Sequence, residues 1–117
     1  MKDLQPTCRL AVIQAAPVLF DKRKGLEKAL ALIERAVREY APEVIVFPEL
    51  FLPGYPYGMN FGFSVGERTE EGRAEWLRYY ENSLVVPGVE TAALCAAART
   101  SSGANHHAVF FVNANVQ

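Results

Sequence analysis

Hydrophobic positions along the chain follow two alternating rhythms. Residues 9–15, RLAVIQA, hold a short apolar run of Leu10, Val12 and Ile13 that gives way to Pro17, the pattern of a buried strand closed by a turn. From 21 to 40 the spacing changes, and Leu26, Leu30, Ile33 and Val37 recur at helical intervals, with Glu27, Lys28, Glu34, Arg35, Arg38 and Glu39 largely elsewhere. An amphipathic helix is predicted there. Glu34 and Arg38 add an i, i+4 pair in the favourable order, and Pro42, which has no N–H, ends the helix. Residues 43–47, EVIVF, form a nearly unbroken β-branched and aromatic run, as expected of a strand covered on both faces in a parallel sheet.

The stretch 48–66, PELFLPGYPYGMNFGFSVG, is too long and too rich in Pro and Gly for a simple connector, and long ordered loops carry function. A second helix is predicted over 69–84 from Trp76, Tyr80 and Leu84 at helical intervals, with Arg73, Glu75, Arg78 and Glu81 facing solvent or a partner. Pro87 and Gly88 interrupt the chain before an alanine-rich third helix over 89–99. A turn over 101–105 and a third strand over 108–112, AVFFV, follow. Strand, helix and strand in alternation predict an α/β fold. Right-handed crossovers in such a fold place functional residues in loops at the carboxyl ends of the strands.

Composition narrows the partners. A chain of 117 residues supports one domain, 1–117, with one core. Its 50% hydrophobic and 21% charged residues are those of a folded, water-soluble domain. Twelve basic residues against thirteen acidic ones leave a formal charge of −1, so no overall field draws the chain to nucleic acid or to an anionic membrane. No apolar run approaches the roughly 20 residues of a membrane span, and Arg9, Gln14, Pro17 and Asp21 interrupt any signal-peptide core, so a cytoplasmic protein is expected. Cys8 and Cys95 stand far apart and in no CxxC pair, which implies reduced thiols and neither a disulfide framework nor a zinc site. Adjacent His106 and His107 would point to opposite sides of a strand, a poor arrangement for chelation, so no metal is expected.

The residue with chemical potential is Glu49, directly behind the buried run VIVFP. A carboxylate held there by a rigid strand can serve as a general base where desolvation raises its affinity for a proton. By position alone, a helix cap or an ion-pair partner is the commoner role. The neighbours decide otherwise: residues 44–56, VIVFPELFLPGYP, resemble the first active-site signature of the nitrilase branch of the carbon-nitrogen hydrolases. The resemblance runs from RLAVIQAAPVLFD through the helix and signature to GERTEEGRAEWLRYYENSLVVPG. Ala41 departs from it, standing where the signature usually has glycine; this alters only the turn before the strand if the backbone demands no positive φ.

The resemblance implies the N-terminal part of a nitrilase-type αββα sandwich, with a catalytic set of glutamate, lysine and cysteine of which only the glutamate, at Glu49, maps here. It further implies conversion of a small-molecule nitrile to a carboxylic acid and ammonia, without a cofactor, in a homo-oligomer. The lysine and cysteine of the family lie in later motifs, and nothing after Asn105 resembles them, so the chain reads as truncated and inactive by itself. Cys95, within LCAAA, reads as a small packed hydrophobe, Cys8 as no better a nucleophile, and Lys22, Lys24 and Lys28 as solvated surface charge. Tyr55, Tyr57, Phe61 and Phe63 either anchor the long loop or line a substrate entrance; Tyr55 is kept as the substrate-binding candidate. The rival reading is a noncatalytic remnant or interaction module of the same fold. A nucleotide-binding domain is disfavoured, because Ala15, Ala16 and Pro17 stand where a glycine-rich phosphate loop would follow the first strand.

Overall fold

The computed structural model describes residues 7–56, 58, 69–100 and 108–111. Their order is β1 (Leu10–Val12), α1 (Lys22–Tyr40), β2 (Val44–Phe47), α2 (Glu70–Glu81), α3 (Val89–Thr100) and β3 (Ala108–Phe111). The expected α/β alternation is therefore present. The strands form a parallel sheet in the order β1-β2-β3, with Leu10 opposite Val44 and Val44 opposite Ala108. The turn expected over 101–105, His106, His107, Val112, Tyr57, Phe61 and Phe63 lie outside the described residues.

Helix α1 begins where a side chain can satisfy its free N–H groups: Asp21 caps it, its Oδ1 accepting from the Lys24 N–H at 3.0 Å. The predicted Glu34–Arg38 pair forms at 3.7 Å, beside an Arg35–Glu39 pair at 3.1 Å. Burial differs from the apolar periodicity. Gly25, Ala29, Ile33 and Ala36 are the buried residues, whereas Leu26, Leu30 and Val37 are only partly so. Small side chains let the helix axis approach its neighbours closely, and the larger ones close the flanks of the contact.

The helix ends in a left-handed residue. Ala41 has φ 45° and ψ 56°, with its N–H donating to Val37 O at 3.0 Å. The condition under which alanine would replace glycine freely, a backbone that demands no positive φ, is not met: its Cβ sits in a conformation that costs about 1–2 kcal/mol for an L-residue. Arg9 ties the turn down, its guanidinium donating to Tyr40 O at 3.1 Å and Ala41 O at 3.4 Å, and its N–H donating to Glu43 Oε2 at 2.7 Å.

One face of the sheet is covered. Ile45 and Phe47 are fully buried against α1 and α3, joined by Ala11, Ile13 and Val109. Strand alternation sends the intervening residues the other way, and there Leu10 is 56% and Val12 69% exposed. Burial on both faces, expected from EVIVF, is thus corrected: Val44 and Val46 are only partly buried, because no described element lies over their side.

The predicted apolar side of α2 is also corrected. Gly72 and Tyr79 are buried, while Trp76 and Tyr80 are exposed and stacked with ring centroids 5.1 Å apart. The choice is made by Phe20, remote in sequence, whose ring meets Tyr79 edge-on at 6.1 Å and the Arg78 guanidinium at 4.3 Å. Leu84 is buried as expected, and α3 packs through Leu94 and Ala97. Two further readings change. Cys95 is exposed on α3, not packed in the core. Lys22 is not free surface charge: its Nζ donates to Ser83 O at 3.2 Å and lies 3.6 Å from Glu90, while its N–H donates to Asn82 Oδ1, so it clasps α1 to the segment joining α2 and α3.

Candidate active site

Strand β2 delivers its chain to a tight turn at its carboxyl end, and Glu49 stands on that turn two residues beyond the buried Phe47. The next residue, Leu50, is left-handed at φ 53°, and its carbonyl accepts from the Gly54 N–H at 2.8 Å. A branched apolar residue adopts such a conformation only where its surroundings over-determine it. They do so here. Phe51, Leu52 and Pro53 are each at least 98% buried, and the Phe51 ring lies against Phe47 with centroids 5.1 Å apart.

Two glycines permit this packing. A Cβ on Gly25 would sit 2.9 Å from Leu52 O, so the first turns of α1 approach the loop more closely than alanine allows. Gly54 has φ +88° and would place a Cβ 2.7 Å from Leu19 Cδ1. The Phe20 N–H adds a long hydrogen bond to Pro53 O at 3.4 Å. Glu49 is thus an exposed carboxylate on a backbone gripped from below by buried side chains.

Tyr55 follows Gly54 in the same loop and is 39% exposed. Cys8 precedes β1, at the end of the sheet opposite Glu49, where a cavity of about 550 Å³ is lined by Thr7, Cys8, Arg9, Ala41 and Glu43. Lys28 donates from its Nζ to Ala16 O at 2.6 Å, and Lys24 pairs with Asp21 at 3.7 Å. Among the described residues no group of three or more His, Cys, Asp or Glu side chains is placed to hold a metal ion. The left-handed Leu50 was not foreseen from the sequence, since leucine is no signal of positive φ.

This turn carries the residues PELFLPG, and the comparison with known families bears on it directly. The sequence profile of the carbon-nitrogen hydrolases matches residues 9–103. The chain belongs to the carbon-nitrogen hydrolase family. Within it, the similarity is to nitrilases, as the N-terminal portion of that branch. An aliphatic nitrilase of Sinorhizobium fredii (strain HH103) is 48% identical over 90 residues, covering 77% of this chain and 29% of the relative. A bifunctional nitrilase/nitrile hydratase of Lupinus angustifolius is 41% identical over 93 residues, or 80% of this chain and 26% of the relative. Nitrilase 1 of Arabidopsis thaliana is 40% identical over 93 residues, or 80% and 27%. The chain therefore spans less than a third of the length of these relatives. Among the described residues no helix is long and apolar enough to cross a membrane.

Proposed function

We propose that this chain is the glutamate-bearing part of a nitrilase-type hydrolase, with Glu49 as the group that moves protons. The observation that carries the reading is the placement of Glu49 on a rigidly anchored turn at the carboxyl end of β2, within a chain 40–48% identical to nitrilases. In the proposed reaction a cysteine thiolate adds to the nitrile carbon, giving a thioimidate. One water then releases ammonia and leaves a thioester, and a second water frees the carboxylic acid and regenerates the thiol. Glu49 would take a proton from the thiol or water and return it to the departing nitrogen. A lysine would stabilise the developing charge, and the chemistry requires no cofactor. Tyr55, in the same loop and open to solvent, is the candidate for contact with substrate.

Neither described cysteine suits the nucleophile's part: Cys8 is at the far end of the sheet and Cys95 is on a helix. By itself the chain is therefore read as inactive, since a base without a nucleophile forms no covalent intermediate. The two unpaired cysteines favour a cytoplasmic setting. A second reading, a noncatalytic module of the same fold, is favoured by the apolar face around Leu10 and Val12, which suits another layer of structure.

Ammonia release from aliphatic and aromatic nitriles by the purified chain tests the reading, with Glu49→Gln and Cys95→Ala measured in parallel. The expected result is no release above background from any of them. Release that disappears in both variants would make Cys95 a nucleophile and overturn the claim of inactivity.

A further inference from the structure

Residues 19–22, at the entry to α1, meet two parts of the molecule at once. On one side is the turn that presents Glu49: the Phe20 N–H donates to Pro53 O at 3.4 Å, and a Cβ on Gly54 would lie 3.1 Å from Leu19 Cα. On the other side is the end of α2. The Phe20 ring packs edge-on against Tyr79 at 6.1 Å, the Arg78 guanidinium lies 4.3 Å from its centre, and Lys22 bonds to Asn82 and Ser83. Phe20 itself is left-handed, at φ 55°, a conformation that a bulky residue keeps only where its contacts hold it. Helix α2 depends on the same place. Among the described residues it contributes no side chain to the core shared by α1, α3 and the sheet, and its buried ring, Tyr79, meets Phe20 instead.

We propose that Phe20 is a positioning residue for Glu49: seated by Tyr79 and Arg78 of α2, it braces the turn over 48–54 through Leu19 and Pro53, so that order at Glu49 depends on the docking of α2. This rests on the reading of Glu49 as the group that moves protons, but the bracing is measurable without any hydrolysis. Phe51 and Leu52 fix the turn from within the core whatever α2 does. Phe20 adds a support from the side that is only as firm as a helix outside the core. The hydrogen bond to Pro53 is long and weak, so the turn responds to α2 chiefly through how firmly Phe20 is seated. Close-packed contacts pass such a change along because each has few alternative arrangements.

The test is amide hydrogen exchange at the Gly54 N–H, which donates to Leu50 O within the turn, with the Ala41 N–H before β2 as internal reference. Phe20→Ala should speed Gly54 exchange about tenfold, Tyr79→Ala about fivefold and Arg78→Ala about twofold, leaving the reference unchanged. The double variant Phe20→Ala/Tyr79→Ala should match Phe20→Ala, because the second change acts only through the first. Phe20→Tyr keeps the ring and should keep the native rate, as should Trp76→Ala on the exposed side of α2. The Glu49 carboxyl carbon resonance, followed at fixed pH, should shift or broaden in Phe20→Ala and Tyr79→Ala and stay in place in Trp76→Ala. Equal acceleration of both amides would mean general destabilisation and overturn the proposal, as would additive effects in the double variant. A faster Gly54 beside an unmoved Glu49 resonance would overturn it too, since the brace would stop short of the carboxylate. Arg78 is exposed, so its truncation decides the matter even where the larger ones fail to fold; an unchanged Gly54 rate there overturns the proposal. Failure of the hydrolase reading would show in the ammonia assay and leave these rates untouched, so the two can fail separately.

Discussion

Strand β2 is bracketed by two left-handed residues that are not glycine, Ala41 before it and Leu50 after it, and the two turns are held in different ways. The first is tied from outside: Arg9, itself exposed, bonds to Tyr40 O, Ala41 O and the Glu43 carboxylate. The second is gripped from inside, by Phe51, Leu52 and Pro53 in the core. Polar ties at a surface compete with water and contribute little each, whereas burial of large apolar side chains contributes several kcal/mol. The stronger grip lies on the turn that presents Glu49. Under the catalytic role proposed for Glu49, a backbone that cannot drift would hold its carboxylate in one geometry.

The largest expected effect comes from breaking that inner grip. Phe51→Ala removes a ring packed on Phe47 and leaves a cavity under the turn, at a cost of about 3–5 kcal/mol. In denaturant melts this should shift the midpoint far more than any substitution in the first turn. A loss below about 1 kcal/mol would mean that the turn is held by something other than its core residues.

Arg9→Ala tests the outer tie. It removes the donors to the two carbonyls at the end of α1 and should cost about 1–2 kcal/mol, part of it from the lost alignment of positive charge with the helix C-terminus. Amide hydrogen exchange sharpens the contrast: protection of the Ala41 N–H should fall in this variant while that of the Gly54 N–H stays unchanged. Loss of protection at both would show that the two turns are coupled through β2 and not held separately.

How far these features were legible in the sequence depends on whether their causes are local. β2 and the turn bearing Glu49 were legible because EVIVF states its strand by composition and PELFLPG states its turn by Pro and Gly. The end of α1 was legible from Pro42, but its buried side was not, since periodicity marks Leu26 and Leu30 while close packing selects Gly25 and Ala29. On α2 the spacing of Trp76 and Tyr80 pointed to the wrong side, because the deciding contact is made by Phe20, some sixty residues away. Cys95 and Lys22 changed character for the same reason: exposure on α3 and the clasp to Ser83 are set by tertiary neighbours. Ala41 and Leu50 were illegible by type, as neither residue announces a positive φ.

That last point yields the smallest of the expected effects and the only one of opposite sign. Ala41→Gly removes the Cβ from a left-handed residue, relieving about 1–2 kcal/mol of local strain. Glycine also gives the unfolded chain more freedom, which takes back about 0.4–1 kcal/mol. The net gain should be roughly 0.5–1 kcal/mol, read as a melting temperature higher by a few degrees for a domain of this size. The same exchange at Leu50 should not stabilise, because it also strips a partly buried side chain from the loop and frees the backbone beside Glu49. Equal gains at both positions would mean that Leu50 contributes nothing through its side chain. A loss at Ala41 would mean that the methyl group is held by contacts that outweigh its strain, placing the first turn closer to the second in kind than their partners suggest.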